Sequence, residues 1–158
     1  MAEDGTLWLD YPNVGGSSPG HAVTVAGKSP RYFRHHSALV EGDGPTWIAA
    51  SGVEGATSVK VALGKPEAGK SKRYTVRLFF AEPDEMNTGE RVFGVSLQGR
   101  EVLSKFDVSK VAGGSRRIVV RTFKDVDAVD TLDTLDITLT AIKGKPILCG
   151  VEVIAAAE

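Results

Sequence analysis

The chain has 158 residues, with 19 Lys and Arg against 20 Asp and Glu, and 42% of its residues are apolar. That size suits one domain, which should bury about 70% of its unfolded surface without a metal or disulfide staple. The near-neutral charge argues against non-specific nucleic-acid binding, the lone Cys149 cannot form an internal disulfide, and no apolar run is long enough for a transmembrane helix. From the N-terminus, Met1–Gly5 is acidic and polar and carries no signal-peptide pattern. Read literally it describes a cytoplasmic protein; read as a module cut from a longer chain, it leaves the compartment open.

Eighteen glycines and seven prolines break the sequence at short intervals, and strand-like runs fill the spaces. Thr6–Tyr11 alternates around Leu7 and Leu9, and Ala22–Ala26 alternates too. Thr57–Leu63 places Val59, Val61 and Leu63 on one face. Arg73–Ala81 is the strongest run, with Tyr74, Val76, Leu78 and Phe80 on one side. Arg91–Leu97, Arg117–Phe123, Leu135–Ile142 and Ile147–Ile154 follow, the last with a shift of face near Gly150. A period of two is the mark of a half-buried strand. The segments between are rich in turn residues, and the one helical candidate is a short turn around Asp107–Ala112. Many short strands with almost no helix predict an all-β, antiparallel sandwich occupying residues 1–158 as a single domain.

Catalytic signatures are weak. Gly16-Ser17-Ser18-Pro19-Gly20 matches the letters G-x-S-x-G, but Pro19 has no N–H for an oxyanion hole, so a plain loop is the better reading. His35 and His36 are neighbours, which an extended strand points to opposite faces, away from a shared metal. Cys149 sits between Leu148 and Gly150 and reads as a buried, inert thiol. The series Asp125, Asp127, Asp130, Asp133 and Asp136 lacks the glycine and closing Glu of a calcium loop and reads as a solvated acidic edge. Glu82, Asp84 and Glu85 offer carboxylates of the kind glycoside hydrolysis needs, although sequence spacing does not set their separation. No enzyme is predicted, with no catalytic residue and no cofactor; a structural calcium ion at Glu82, Asp84, Glu85 or Asn87 is an open alternative.

The binding candidates are clearer. Arg31-Tyr32-Phe33-Arg34-His35-His36 and Trp47, with Trp8 and Tyr11, gather most of the Trp, Tyr and His into the first third. Flat aromatic faces match the C–H patches of sugars, and charged or amide side chains match their hydroxyls. Trp8 and Phe33 read as core; Tyr32, His35, His36 and Trp47 are even between core and ligand.

Arg73–Gly99, with its F-A-E strand end at Phe80-Ala81-Glu82 and the strand Val92-Phe93-Gly94-Val95, resembles the central signature of malectin and malectin-like carbohydrate-binding modules. Val102–Asp107, Ala112-Gly113-Gly114 and Ile147–Ile154 extend the likeness, and Leu7–Gly16 with Tyr32–Ser37 resembles the opening of such modules in large bacterial multidomain proteins. The resemblance implies a jelly-roll, galactose-binding-like sandwich, an extracytoplasmic role, a place in a longer multidomain chain, and a sugar site among loops at one end. Malectin recognises glucose disaccharides through aromatic residues and an aspartate. Here Asp84 and Glu85 occupy the place of its aromatic pair, Gly144 the place of its aspartate, Gly94 replaces the Asp of V-F-D-V, and Trp47 lies near an earlier binding position. The resemblance therefore implies a carbohydrate partner, with Asp84, Glu85 and Asn87 bonding hydroxyls and Tyr32 or Trp47 stacking on a ring. The alternative is a structural or protein-interaction module on the same fold whose sugar site has been lost.

Overall fold

Alternating apolar residues build two facing β layers. The structure, a computed structural model, describes residues 6, 8–12, 23–63, 73–128 and 134–155. The strands are β1 (Val23–Ala26), β2 (Arg31–Arg34), β3 (Ser51–Glu54), β4 (Ser58–Ala62), β5 (Arg73–Phe80), β6 (Val92–Leu97), β7 (Arg100–Phe106), β8 (Val119–Asp127), β9 (Thr134–Lys143), β10 (Ile147–Leu148) and β11 (Gly150–Ala155). One layer runs β1-β4-β9-β6-β7, every pair antiparallel. The other is made of β10-β3-β2 and β11-β5-β8. Cys149 joins these two pieces, since it links β10 to β11 and its N–H donates to Phe79 O at 2.9 Å. The whole is an antiparallel jelly-roll sandwich.

The core follows from the pattern of two. On β5, Val76, Leu78 and Phe80 are fully buried on one face. Phe80, Phe93 and Phe106 meet there with ring centroids 5.0–6.1 Å apart. Ile137 and Leu139 of β9 join Phe93 and Phe106 in the layer that faces Phe80 of β5. Each such side chain is worth about 1.5–3 kcal/mol of burial. Opposite Tyr74–Val76, β8 carries an extra residue at a bulge, and Asp125 there adopts φ 56°.

Among the described residues, two short α-helices decorate the layers. The helical turn expected near Asp107 is α2 (Val108–Ala112), capped by Asp107, whose side chain accepts from Lys110 N–H at 3.0 Å. The other, α1 (Thr46–Ala49), packs Ile48 against β11, where a Cβ on Gly150 would lie 2.4 Å from Ile48 Cγ2. Only glycine leaves room for that approach.

One expected strand is corrected. In Thr6–Tyr11 the described residues belong to no strand; Trp8 packs on Phe79 with ring centroids 5.6 Å apart. Alternation there serves side-chain anchoring without a ladder partner. Leu7, the G-x-S-x-G residues 16–20, Asp130 and Asp133 lie outside the described residues. The rest of the acidic series faces cations, Asp125 and Asp127 each 3.9 Å from Arg73 and Asp136 3.8 Å from Lys60. No described helix is long and apolar enough to cross a membrane.

Candidate functional site

The loop after β5 is pinned from beneath. Arg116 N–H donates to Glu82 O at 2.8 Å, Met86 N–H to Ser115 Oγ at 3.3 Å, and Gly89 N–H to Asp107 Oδ2 at 2.6 Å. Asn87 N–H donates to Glu90 Oε2 at 2.8 Å, closing the loop on itself. Below it lies an enclosed ionic cluster. Arg91, only 2% exposed, donates to Glu82 at 2.7 and 3.1 Å, to Glu54 at 2.9 Å, and to the Lys145 carbonyl. Arg31 on β2 reaches the same Glu54 at 3.3 and 3.4 Å, since the two residues face each other across the β2–β3 ladder.

The two carboxylates respond differently to this setting. Burial acts to raise the Glu54 carboxyl, but hydrogen bonds from Arg31 and Arg91 outweigh it and hold the group below the usual glutamate range. Glu82 is more deeply enclosed and has one arginine partner, so burial prevails and pushes its carboxyl above that range. The cluster holds the Arg91 guanidinium above its ordinary value in spite of burial. With its oxygens held by Arg91 and by Asp84 N–H at 3.3 Å, Glu82 is a structural anchor, not half of an acid–base pair, and it is unavailable as a calcium ligand. Among the described residues, no three His, Cys, Asp or Glu side chains converge on a metal-sized site.

The outer residues of the loop project from this base. Asp84 lies 3.5 Å from Arg31 and 3.9 Å from Arg91, with 48% of its side chain exposed. Glu85 is 85% exposed and pairs with Arg116 at 2.8 Å. Asn87 is exposed beside them. Gly144 has φ 69°, and a Cβ there would sit 2.8 Å from Glu90 O. The local backbone therefore excludes an aspartate unless it shifts.

The aromatic candidates gather elsewhere. Trp47 on α1 is half exposed and meets Trp8 edge to face at 5.4 Å, with Trp8 in turn on Phe79. Tyr32 is half exposed and meets Tyr11 at 6.0 Å; burial and then the neighbouring Tyr11 hydroxyl push its phenol above the ordinary value. No hydrogen bond, ion pair or ring contact among the described residues joins Trp47 to Asp84, Glu85 or Asn87. Tyr32 follows Arg31, the partner of Asp84, but alternation turns its side chain to the other face of β2. His35 is partly buried, its N–H donating to Ala50 O at 2.7 Å and its ring 5.9 Å from Phe33. His36 caps a 3-10 turn over Ser37–Leu39, its Nδ1 accepting from Ala38 N–H at 3.2 Å. Phe33 is buried as expected. Cys149 has its thiol pushed up to about 12 by burial, which keeps it protonated and inert.

Sequence reasoning missed Arg91, Glu54 and Asp107 as the residues that hold the loop. The available signal was an arginine directly before an apolar strand, Arg91 ahead of Val92–Leu97, with an acid closing each of two earlier runs.

A family model described as Malectin domain matches residues 67–151, more than half of the chain. No curated protein matches in sequence. Among solved structures, a β-glucuronidase from Bacteroides uniformis is similar with a TM-score of 0.68 and 16% identity, over 98% of this chain and 16% of that one. The ANXUR2 extracellular domain from Arabidopsis thaliana gives 0.68 and 13%, over 86% and 41%. The ANX1 ectodomain from the same plant gives 0.67 and 12%, over 85% and 41%. At these identities the likeness speaks for the fold alone, and this chain spans less than half of each neighbour. The sandwich and the family model agree, and the chain belongs to the malectin domain family.

Proposed function

We propose that this protein is a single-domain, non-catalytic carbohydrate-binding module that recognises a di- or oligosaccharide through loops at one end of its sandwich. The observation that carries the reading is the pinned loop: Glu82, Asp107 and Ser115 fix its backbone while the carboxylates of Asp84 and Glu85 stay at the surface. A loop held in this way loses little entropy when its outward groups bond a ligand. Asp84, Glu85 and Asn87 bond hydroxyls at the loop, while Tyr32 or Trp47, set apart from it, supplies a stacking face. His35 and His36 have smaller parts, since the His35 ring lies against Phe33 and the His36 ring already accepts from Ala38 N–H. The short share of each structural neighbour that the chain covers favours an accessory module beside other domains, and family membership favours an extracytoplasmic place of work.

A shallow site of this kind binds in the micromolar to millimolar range, about −8 to −4 kcal/mol. A glycan array followed by titration with glucans, galactans and mannans tests it. A shift in melting temperature with one class is the expected result, and no response at millimolar sugar refutes the reading.

One observation favours a second reading, a protein-interaction module without a sugar site: Asp84 and Glu85 already have arginine partners. On that reading the protein ignores every glycan and co-elutes with a neighbouring domain of its own parent chain in size exclusion.

A further inference from the structure

The flank of the sandwich beside β2 carries an ordered series of side chains. Tyr32 and Arg34 share one face of β2, opposite the buried Phe33. The segment Trp8–Pro12 lies against them in reverse order. Tyr11 meets Tyr32 at 6.0 Å, Asp10 lies 3.6 Å from Arg34, and Trp8 meets Trp47 at 5.4 Å. The flank therefore reads as a tyrosine pair, an ion pair and a tryptophan pair. Tyr11, Tyr32 and Trp47 are all 41–52% exposed, while Asp10 and Arg34 keep about two thirds of their side chains in water. From Trp8 to Tyr11 is three residues, which span at most about 10 Å. That distance leaves room for one sugar ring between two that stack.

We propose that this flank binds three consecutive units of a linear oligosaccharide, the outer two on the tryptophan and tyrosine pairs and the middle one through its hydroxyls to Asp10 and Arg34. The proposal rests on the carbohydrate-binding reading above and deepens it, setting the ligand's minimum length at three units. A protein partner fits less well, because the centre of the flank is an exposed ion pair, and the centres of protein interfaces are depleted of charge. Phe79 beneath Trp8 and the Tyr11–Tyr32 contact hold the rings in place before ligand arrives, which lowers the ordering cost.

Calorimetric titration with cello-, malto-, manno- and galacto-oligosaccharides of one to six units tests this. In the series that binds, affinity should rise about tenfold between two and three units, the worth of one aromatic contact, and then level off. Trp47→Ala and Tyr32→Ala should each remove that step, while Asp84→Ala weakens all lengths by one factor. The wild-type protein supplies a test that needs no variant. Its two tryptophans, Trp8 and Trp47, both lie on the flank, so a bound hexasaccharide should shield their fluorescence from acrylamide. Binding with neither a length step nor shielding overturns the flank site and leaves the loop site standing. No binding in any series overturns both.

Discussion

The two ends of β2 solve opposite problems. At its start, Arg31 joins Glu54, Arg91 and Glu82 in a cluster whose inner members are shut away from water, each with charged partners. At its far end, Arg34 and Asp10 lie in solvent between two half-exposed aromatic pairs. The first arrangement fixes one geometry, because a buried charge without a partner is costly. The second leaves flat apolar faces and charged groups open to a visitor. Adjacent residues of one short strand thus divide into anchoring and presenting roles.

The largest test of this contrast is Arg91→Met. It strands the buried Glu82 carboxylate, leaves Glu54 with Arg31 alone, and should cost about 3–5 kcal/mol in urea unfolding. A cost below about 1 kcal/mol would mean that the cluster does not hold the loop end. Gly144→Asp forces a side chain into a left-handed backbone against Glu90 O, and should cost about 1–3 kcal/mol. If instead this variant is neutral and gains affinity for a glucose disaccharide, the backbone there is more adaptable than described. Trp47→Ala, on the presenting side, should change stability by no more than about 1 kcal/mol, because half of the ring is already in water. Asp84→Ala should stay within about 0.5 kcal/mol while weakening sugar binding; a larger loss would move this carboxylate to the anchoring side.

The smallest effect is one of sign. The Glu54 carboxyl is held below its unfolded value, so its contribution is present above the ordinary glutamate pKa and is lost as pH falls through the lower, folded one. Glu82 is raised, so its ionisation costs stability once pH climbs from the ordinary value through the folded one, and acid relieves that cost. Acid titrations of stability with Glu54→Gln and Glu82→Gln should change slope in opposite directions. Equal slopes would show that the pair titrates as one group.

Much of the fold was legible because burial imposes a period of two. β4, β5, β6, β9 and the β10–β11 run lie where the alternation places them, and the face shift expected near Gly150 is the break at Cys149. β2 and β3 escaped notice: RYFR is charged at both ends and SGVE holds a glycine and an acid, so neither alternates cleanly. They are strands because they pair with each other. TLWLDY failed in the opposite way, alternating without a partner strand. Asp84, Glu85 and Asn87 are legible as surface residues of the loop through their place after F-A-E. The role of Arg91 is not, because its partners are 9 and 37 residues away and the acids that close two earlier runs do not say what they pair with. Trp47 and Tyr32, even between core and ligand in the sequence, are half exposed, and their grouping with Trp8 and Tyr11 depends on where the chain folds back.

The double duty of Asp107 has one more consequence. One of its oxygens starts α2 through Lys110 N–H and the other secures the far end of the loop after β5 through Gly89 N–H. Helix and loop therefore open as one cooperative unit, and those two amides should exchange with deuterium at matching rates. A sugar seated on the loop would then slow exchange in a helix that it never touches.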